Sequence, residues 1–448
     1  MLVASLVQVM AMANETLLLR CGTFIDGTGA TAREDVAIEI DRGLIKTIGP
    51  WKDRQEGLDQ AITFRDLTRH TVIPGMIDGH THICLGAPQS AGWASTGTDP
   101  IGVVVWGLAS GAAALLSGVT TILDAGSQNG LALRVAALVD AGLAVGPRIL
   151  AVGPAITTTA GHGSDFGTTA NSAVEIVRAV RETVAAGADF IKIMVTGGAI
   201  TPKSNRRRAQ YSQVELEAAI SDAHRLGKLV IGHANATEGI TRAVHAGIDI
   251  VAHCNWLGTM PGTIEVDFDT VEAMVRQKVW IDLNIEGAFR KFETSDGVVV
   301  SKTDGGIAPS NRWELLKPLS ERGVGLYLTS DGFGPNVGTF TSALCEARSS
   351  CDITAEELVS LVSAKPAQAL GLDTEIGSLE VGKCADLVVL DGDLRSDPNA
   401  LMRPTSVYRG GVEVVSRGMF RPSLIALQAG AAGVAQQEWL DSVFRELD

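Results

Sequence analysis

Val72-Ile73-Pro74-Gly75-Met76-Ile77-Asp78-Gly79-His80-Thr81-His82 is an apolar run with a Pro-Gly break that ends in two histidines separated by one residue. Read as a β-strand, it places His80 and His82 on one side, because side chains alternate, and their rings converge. Two imidazoles converging at a strand end can hold one divalent ion. The bland alternative is a chance pair in a loop. The rest of the chain weighs against that alternative, because it offers further ligand types at the ends of further strands.

Outward from this stretch the sequence reads strand, loop, helix, repeated. Candidate strands are 72–78, 120–124, 148–152, 190–195, 229–233, 250–253, 280–284 and 325–330. Helical stretches separate them, among them 172–186, 212–226, 238–246 and 311–322. Several end in the Ala-Gly or Leu-Gly that suits a helix C-terminus. Eight such units most simply close into a (β/α)8 TIM barrel. An open doubly wound sheet is the alternative, but no GxGxxG follows the first strand, which weakens its dinucleotide-binding form.

Both ends of the chain have another texture. Leu17-Leu18-Leu19-Arg20-Cys21, Val36-Ala37-Ile38-Glu39-Ile40 and Leu44-Ile45-Lys46-Thr47-Ile48 are short strands punctuated by Asp26-Gly27 and Asp41-Arg42-Gly43. Ala385-Asp386-Leu387-Val388-Val389-Leu390 and Pro404-Thr405-Ser406-Val407-Tyr408-Arg409-Gly410-Gly411 repeat that texture. The expected fold class is therefore α/β, a barrel over 71–372 inserted into a small β-sandwich built from both termini. The sandwich would take 1–70 and 373–448, the latter with a C-terminal helix.

Composition narrows the partners. The 448 residues are 46% hydrophobic and 20% charged, which is ordinary globular usage for one large domain and a smaller one. A formal net charge of −14 disfavours nucleic acid and anionic membranes. Arg206-Arg207-Arg208 is too short a run to reverse this. The six cysteines, Cys21, Cys84, Cys254, Cys345, Cys351 and Cys384, contain no CxxC pair, which suits reduced thiols in the cytoplasm. The apolar stretch 2–12 ends near Ala11-Met12-Ala13, which resembles a cleavage site, but no Lys or Arg precedes it as a secretory leader needs. No convincing transmembrane span is present, since 101–116 is short and broken by glycines. A small-molecule substrate and a homo-oligomer are expected.

In a parallel barrel all strand C-termini face one way, so residues there meet at one site. Strand 1 offers His80 and His82, strand 4 the intrastrand Lys192, strand 5 His233, strand 6 His253 and strand 8 Asp331. Alone, Lys192 could face solvent and each histidine could be a hydrogen-bonded structural residue. A buried lysine loses its charge readily, and a neutral amine can react with carbon dioxide to give a carbamate, an anionic ligand able to bridge two metals.

The set His80-x-His82, Lys192, His233, His253 and Asp331 resembles the amidohydrolase superfamily. Pro74 to His82 is similar to its first-strand signature, and Gly377-Ser378-Leu379-Glu380-Val381-Gly382-Lys383-Cys384-Ala385-Asp386-Leu387-Val388 is also typical of it. The resemblance implies a binuclear centre of two divalent ions, Zn2+ or else Mn2+ or Co2+. His80, His82 and Asp331 would hold the more buried ion and His233 and His253 the more exposed one. Lys192, carboxylated by carbon dioxide, would bridge them, and a shared hydroxide would attack the substrate. Gly161-His162-Gly163 and Gln210-Tyr211-Ser212 resemble the prolidase-like and imidazolonepropionase-like branch, and Lys192 favours the prolidase side. The reaction implied is hydrolysis of a C–N amide bond, in a dipeptide or N-acyl amino acid. Alternatives are a carbamate, phenylurea or phosphotriester, or an inactive binding protein on the same fold.

Asp331 would carry the proton from the nucleophile to the leaving nitrogen. His162 and Tyr211 are candidates to hold the carbonyl oxygen or a substrate carboxylate; equally, they are a loop histidine and the neighbour of a helix cap. Arg207, between Arg206 and Arg208, either pairs with a substrate carboxylate or lies on a solvated face. Cys84, Cys254 and Trp256 follow the ligand histidines closely and could line the pocket.

Overall fold

The computed structural model describes residues 16–54, 62–86, 99–202, 204–285 and 311–420, with the backbone of 299–300. The N-terminal apolar stretch and the expected C-terminal helix lie outside the described residues.

Eight parallel strands follow one another in chain order: β1 (Met76–His82), β2 (Val119–Asp124), β3 (Arg148–Ala151), β4 (Ile191–Met194), β5 (Val230–Ala236), β6 (Ile250–Leu257), β7 (Trp280–Asn284) and β8 (Gly325–Thr329). Ladders join β1 to β2 to β3, and β4 to β5 to β6 to β7 to β8. Backbone bonds contribute to closing the two seams, beside short pairings of Gly332–Phe333 with β1 and of Ile156 with Ile193 of β4. Asp189 N–H donates to Ala151 C=O at 2.9 Å, and Asp331 N–H donates to His80 C=O at 2.9 Å. The strands are apolar and buried on both faces because helices cover the outside, as parallel sheets require.

Alternation sorts each strand into two environments. Ile191 and Ile193 of β4 join a large core with Ile176 and Val180 of helix Ala173–Ala185 and Leu216 and Ile220 of helix Gln213–Arg225. Lys192, between them, points the other way, into the barrel. On β7, Ile281 and Leu283 join the same core, and Asp282 and Asn284 turn inward. The helix ends are set by sequence: Ser172 accepts from Glu175 N–H, and Ser212 with Glu215 forms a complete capping box.

The stretch around Pro74-Gly75 is not one strand. Ile62–Pro74 belongs to another sheet, and β1 begins only at Met76. Gly75 makes the change of sheet possible: a Cβ there would sit 2.1 Å from Thr120 Oγ1, so no side chain fits. Its N–H donates to Asp386 C=O at 2.8 Å, tying the switch to the C-terminal part of the chain.

That second sheet has eight strands ordered Met419–Phe420, Val412–Ser416, Pro404–Arg409, Leu387–Asp391, Ile62–Pro74, Thr16–Phe24, Arg33–Asp41 and Leu44–Pro50. Leu387 pairs with Pro74 and Val389 with Val72, antiparallel, so strands from both ends of the chain share one sheet. The sequence anticipated a sandwich built from both termini; the strands from both termini are joined in this one eight-stranded sheet. Leu19, Ile38, Val72, Leu387, Val389 and Tyr408 form its core. Among the described residues no helix is long and apolar enough to cross a membrane.

Candidate metal centre

The C-terminal ends of the barrel strands open on a cavity of about 350 Å³, lined among others by His80, His82, Lys192, His233, His253 and Asp331. Five of them lie within barrel strands and Asp331 two residues past β8, and all six meet at this one cavity, so the expected convergence is present. The ligand atoms of His80, His82 and Asp331 lie within 4.8 Å of one another. Asp331 Oδ1 is 3.6 Å from Nε2 of both histidines. His233 Nδ1 faces His253 Nε2 at 2.8 Å. Lys192 Nζ, in the same cavity, lies 3.2 Å from His80 Nε2.

Backbone geometry at the rim is unusual. His253, Cys254, Trp256 and Asp331 have φ of 69°, 48°, 50° and 54°, a region non-glycine residues seldom occupy. The β5–β6 register also shifts between Ala234 and Ala236. Such irregularity is held by surrounding contacts and aims side chains that a regular strand would send elsewhere.

Partners behind the rings orient each histidine. His80 Nδ1 lies 2.5 Å from Asp282 Oδ2, and Thr329 Oγ1–H donates to Asp282 Oδ1 at 2.5 Å. His82 Nδ1–H donates to Gly126 C=O at 2.9 Å. His233 Nε2 lies 3.2 Å from Gly197 C=O and 2.8 Å from the Asn235 amide. His253 Nδ1 lies 3.1 Å from Asn284 Oδ1. These bonds leave His80 Nε2, His82 Nε2 and His253 Nε2 turned to the cavity.

Burial sets the charge state. It pushes His80, His82, His233 and His253 well below the ordinary imidazole value, with the Lys192 charge adding to the effect, so the rings are neutral and keep their lone pairs. Burial also draws Lys192 down to about 8, against the pull of Asp282, Asp331 and Asp124. Four neutral imidazoles, a carboxylate and a lysine poised to lose its proton are a donor set that fits divalent metal ions.

The remaining sequence candidates divide. His162 lines the cavity, its ring 4.4 Å from that of His233, and burial pulls its pKa to about 4. Arg207 and Arg206 line it too, although Arg207 Nη1 is engaged with the Gly258 and Thr263 carbonyls at 2.8 and 3.1 Å. Arg208 is exposed and does not line it. Tyr211 is a correction: it is buried in the core, its O–H donates to Ala170 C=O at 3.0 Å, and it does not reach the cavity. Trp256 is likewise a core residue, fully buried and absent from the lining, and Cys84 and Cys254 are buried away from it. Closeness in sequence to a strand end misled here, because the chain turns inward directly after His253.

Sequence reasoning passed over Asp282, Asn284 and Arg312, all of which bear on the site. A carboxylate inside the apolar run Val279-Trp280-Ile281-Asp282-Leu283 is the same kind of signal that singled out Lys192. Arg312, the first residue of helix Arg312–Glu321, lines the cavity and donates from Nη1 to Asn284 Oδ1 at 2.6 Å. The lining also includes the apolar side chains Phe166, Met194, Ile200, Leu257 and Ile264.

Comparison with known proteins supplies a further finding. The profile described as amidohydrolase family matches residues 71–414. The ochratoxinase of Aspergillus niger is 23% identical over 336 residues, which cover 66% of this chain and 66% of that sequence, so the match spans a little under two thirds of the relative. The imidazolonepropionase of Legionella pneumophila (strain Lens) is 23% identical over 396 residues, covering 84% of this chain and 92% of that one. The structure of a Xaa-Pro dipeptidase with bound methionine in the active site superposes with a TM-score of 0.75 at 25% identity, covering 89% of this chain and 99% of the other.

Proposed function

This chain belongs to the amidohydrolase family, and from that premise we propose that it hydrolyses a C–N amide bond in a dipeptide or N-acyl amino acid. The observation that carries the reading is a cavity whose lining combines the metal-ligand groups with Arg206, Arg207 and Arg312 and with apolar side chains. An amide with a carboxylate at one end and an apolar group at the other matches that mixture. Guanidinium groups suit a carboxylate because their N–H donors form paired, charge-assisted bonds with it.

His80, His82 and Asp331 would hold one divalent ion, His233 and His253 a second, with Lys192 as a carboxylated bridge. When bound, such ions lower the pKa of a water toward 7 and polarise a carbonyl. Asp331, whose Oδ1 lies 3.6 Å from Nε2 of both His80 and His82, would accept the proton of the attacking water and hand it to the leaving nitrogen. His162, neutral because burial holds its pKa near 4, would steady the carbonyl oxygen from the His233 side. Arg206 or Arg312 would pair with the substrate carboxylate, with Arg207 anchoring the loop it bonds. The enzyme is assigned to the cytoplasm on its cysteine usage.

A second reading, hydrolysis of neutral carbamates or phenylureas, draws on the apolar side chains of the lining alone. Screening N-acyl amino acids and dipeptides beside aryl carbamates and ureas separates the two. Turnover confined to neutral substrates overturns the amide-with-carboxylate reading. Purified protein from metal-supplemented growth should carry about one divalent ion or more per chain, and less than that overturns the metal-dependent mechanism itself.

A further inference from the structure

Among the barrel strands β7 contributes none of the proposed metal ligands, yet two of its residues touch them. Asp282 and Asn284 are two apart, so they share the inward face of the strand. Asp282 is fully buried and meets His80; Asn284 lines the cavity and meets His253. Each contacts the nitrogen that faces away from the cavity. We infer that β7 is the strand that sets the histidine tautomers of the metal centre, with Asp282 and Asn284 as positioning residues that hold the protons of His80 and His253 on Nδ1. The inference rests on the metal-hydrolase reading for its purpose, though not for its geometry.

The assignment at Asn284 follows from donor arithmetic. An amide oxygen and nitrogen look alike in shape, so the neighbours must tell them apart. Arg312 has only donors, so the Asn284 atom 2.6 Å from its Nη1 is the oxygen. That oxygen also lies 3.1 Å from His253 Nδ1, which must then carry the proton. The amide nitrogen is left to donate to Asp331 Oδ2 at 3.4 Å. One side chain thus joins a cavity arginine to a ligand of each proposed ion.

Asp282 does the same for His80 with a carboxylate. Its Oδ1 accepts from Thr329 on β8 and its Oδ2 from His80 on β1, so one group links three strands at the closing seam. A neutral Asp282 donating to Nδ1 would instead drive the His80 proton to Nε2 and spoil it as a ligand, which makes the placement testable. The other two histidines differ in kind. His82 is held by the Gly126 carbonyl, a backbone group that substitution cannot remove, and His233 Nε2 lies between the Gly197 carbonyl and the amide of Asn235 on its own strand. Side-chain partners of this type alter metal affinity about 10–100-fold when lost.

The experiment uses the full chain with 15N-labelled histidine. In the metal-free protein, nitrogen-detected spectra should report His80 and His253 as Nδ1–H forms. Asp282→Leu should move the His80 proton and leave His253 unchanged, and Asn284→Leu should do the reverse. Each should weaken Co2+ binding about 10–100-fold in competition with a chelator, followed by the cobalt absorption bands. Asp282→Asn, which still offers an oxygen to His80 and an N–H to Thr329, should recover the tautomer and most of the affinity. A wild-type His80 or His253 protonated on Nε2 overturns the role of β7, as does unchanged cobalt affinity in both leucine variants. A wild-type chain that takes up no cobalt overturns the metal-hydrolase reading instead, and the metal-free tautomers then still decide the role of β7.

Discussion

Asp331 is asked for two kinds of work, and a single atom separates them. Asn at this position keeps an oxygen for coordination but accepts no proton at neutral pH. Asp331→Asn should therefore keep most of its metal and lose kcat about 10²–10⁴-fold, the range for general acid–base catalysis. His82→Asn should lose metal first and activity with it. Metal content and kcat measured on both variants check this; near-normal kcat in metal-loaded Asp331→Asn assigns the proton transfer elsewhere, His162 being next. Lys192→Ala should strip metal and activity together, and short carboxylic acids should restore part of both. The ligand positions were legible in the sequence because strand alternation and the barrel rule turn a linear pattern into a common direction. Asp282 and Asn284 were not, since their significance lies in bonds to His80 and His253, which come from other strands. Tyr211 and Trp256 were misread because sequence neighbours of a strand end share its location but not the direction of its side chains.

Elements carry their own tests. Gly198, in the segment after β4, lies flat against His162: a Cβ there would come 2.3 Å from the imidazole ring. Gly198→Ala should push that ring out of place and lower kcat/KM while metal content stays at the wild-type level. Equal loss of bound metal would show that the segment also supports the ligands. Between helix Ala173–Ala185 and helix Gln213–Arg225, Asp222 takes bonds from Arg181 at 2.9 and 3.1 Å and from Arg225 at 2.7 Å. The Arg181 hydrogen bonds chiefly, then Arg225, hold its carboxyl down at about 2. A lowered carboxyl pKa stabilises the fold fully above the unfolded value of about 3.9 and is lost as pH falls toward 2. Both guanidinium side chains are 59% exposed, so water screens the pair and the net effect is about 1 kcal/mol at most. Asp222→Asn should melt about 1 °C lower than wild type at pH 6, with the gap closing below pH 4. These two helices were read from their periodicity and caps to within a residue at each end. The change of sheet at Gly75 was not, because a Pro-Gly break in an apolar run reads equally as a kink within one strand or as the passage between two.

At the scale of the molecule, the C-terminal strands are structural partners of Ile62–Pro74, the strand that leads into the barrel, rather than an appendage. Leu387, Val388, Val389 and Leu390 are all fully buried, two on the sheet core and two on the barrel core. Burying each contributes about 1.5–3 kcal/mol, so losing the four approaches the whole stability of about 5–15 kcal/mol typical of a domain. A chain ending at residue 372 should therefore give no cooperative thermal transition and little soluble protein; a sharp transition near that of the full chain would show the barrel to be self-sufficient.

The pairing of Leu387 with Pro74 also fixes an order of events during synthesis. Strand Ile62–Pro74 leaves the ribosome among the first elements, while its antiparallel neighbour is made only after the whole barrel. At about 5–20 residues per second, the early strand waits on the order of tens of seconds with one hydrogen-bonding edge uncovered. Long-range pairing of this sort closes late and slowly. The nascent chain is thus most exposed to sticking to its neighbours while its barrel is being made, and holding translation at a codon before Leu387 should leave it dependent on chaperones until release.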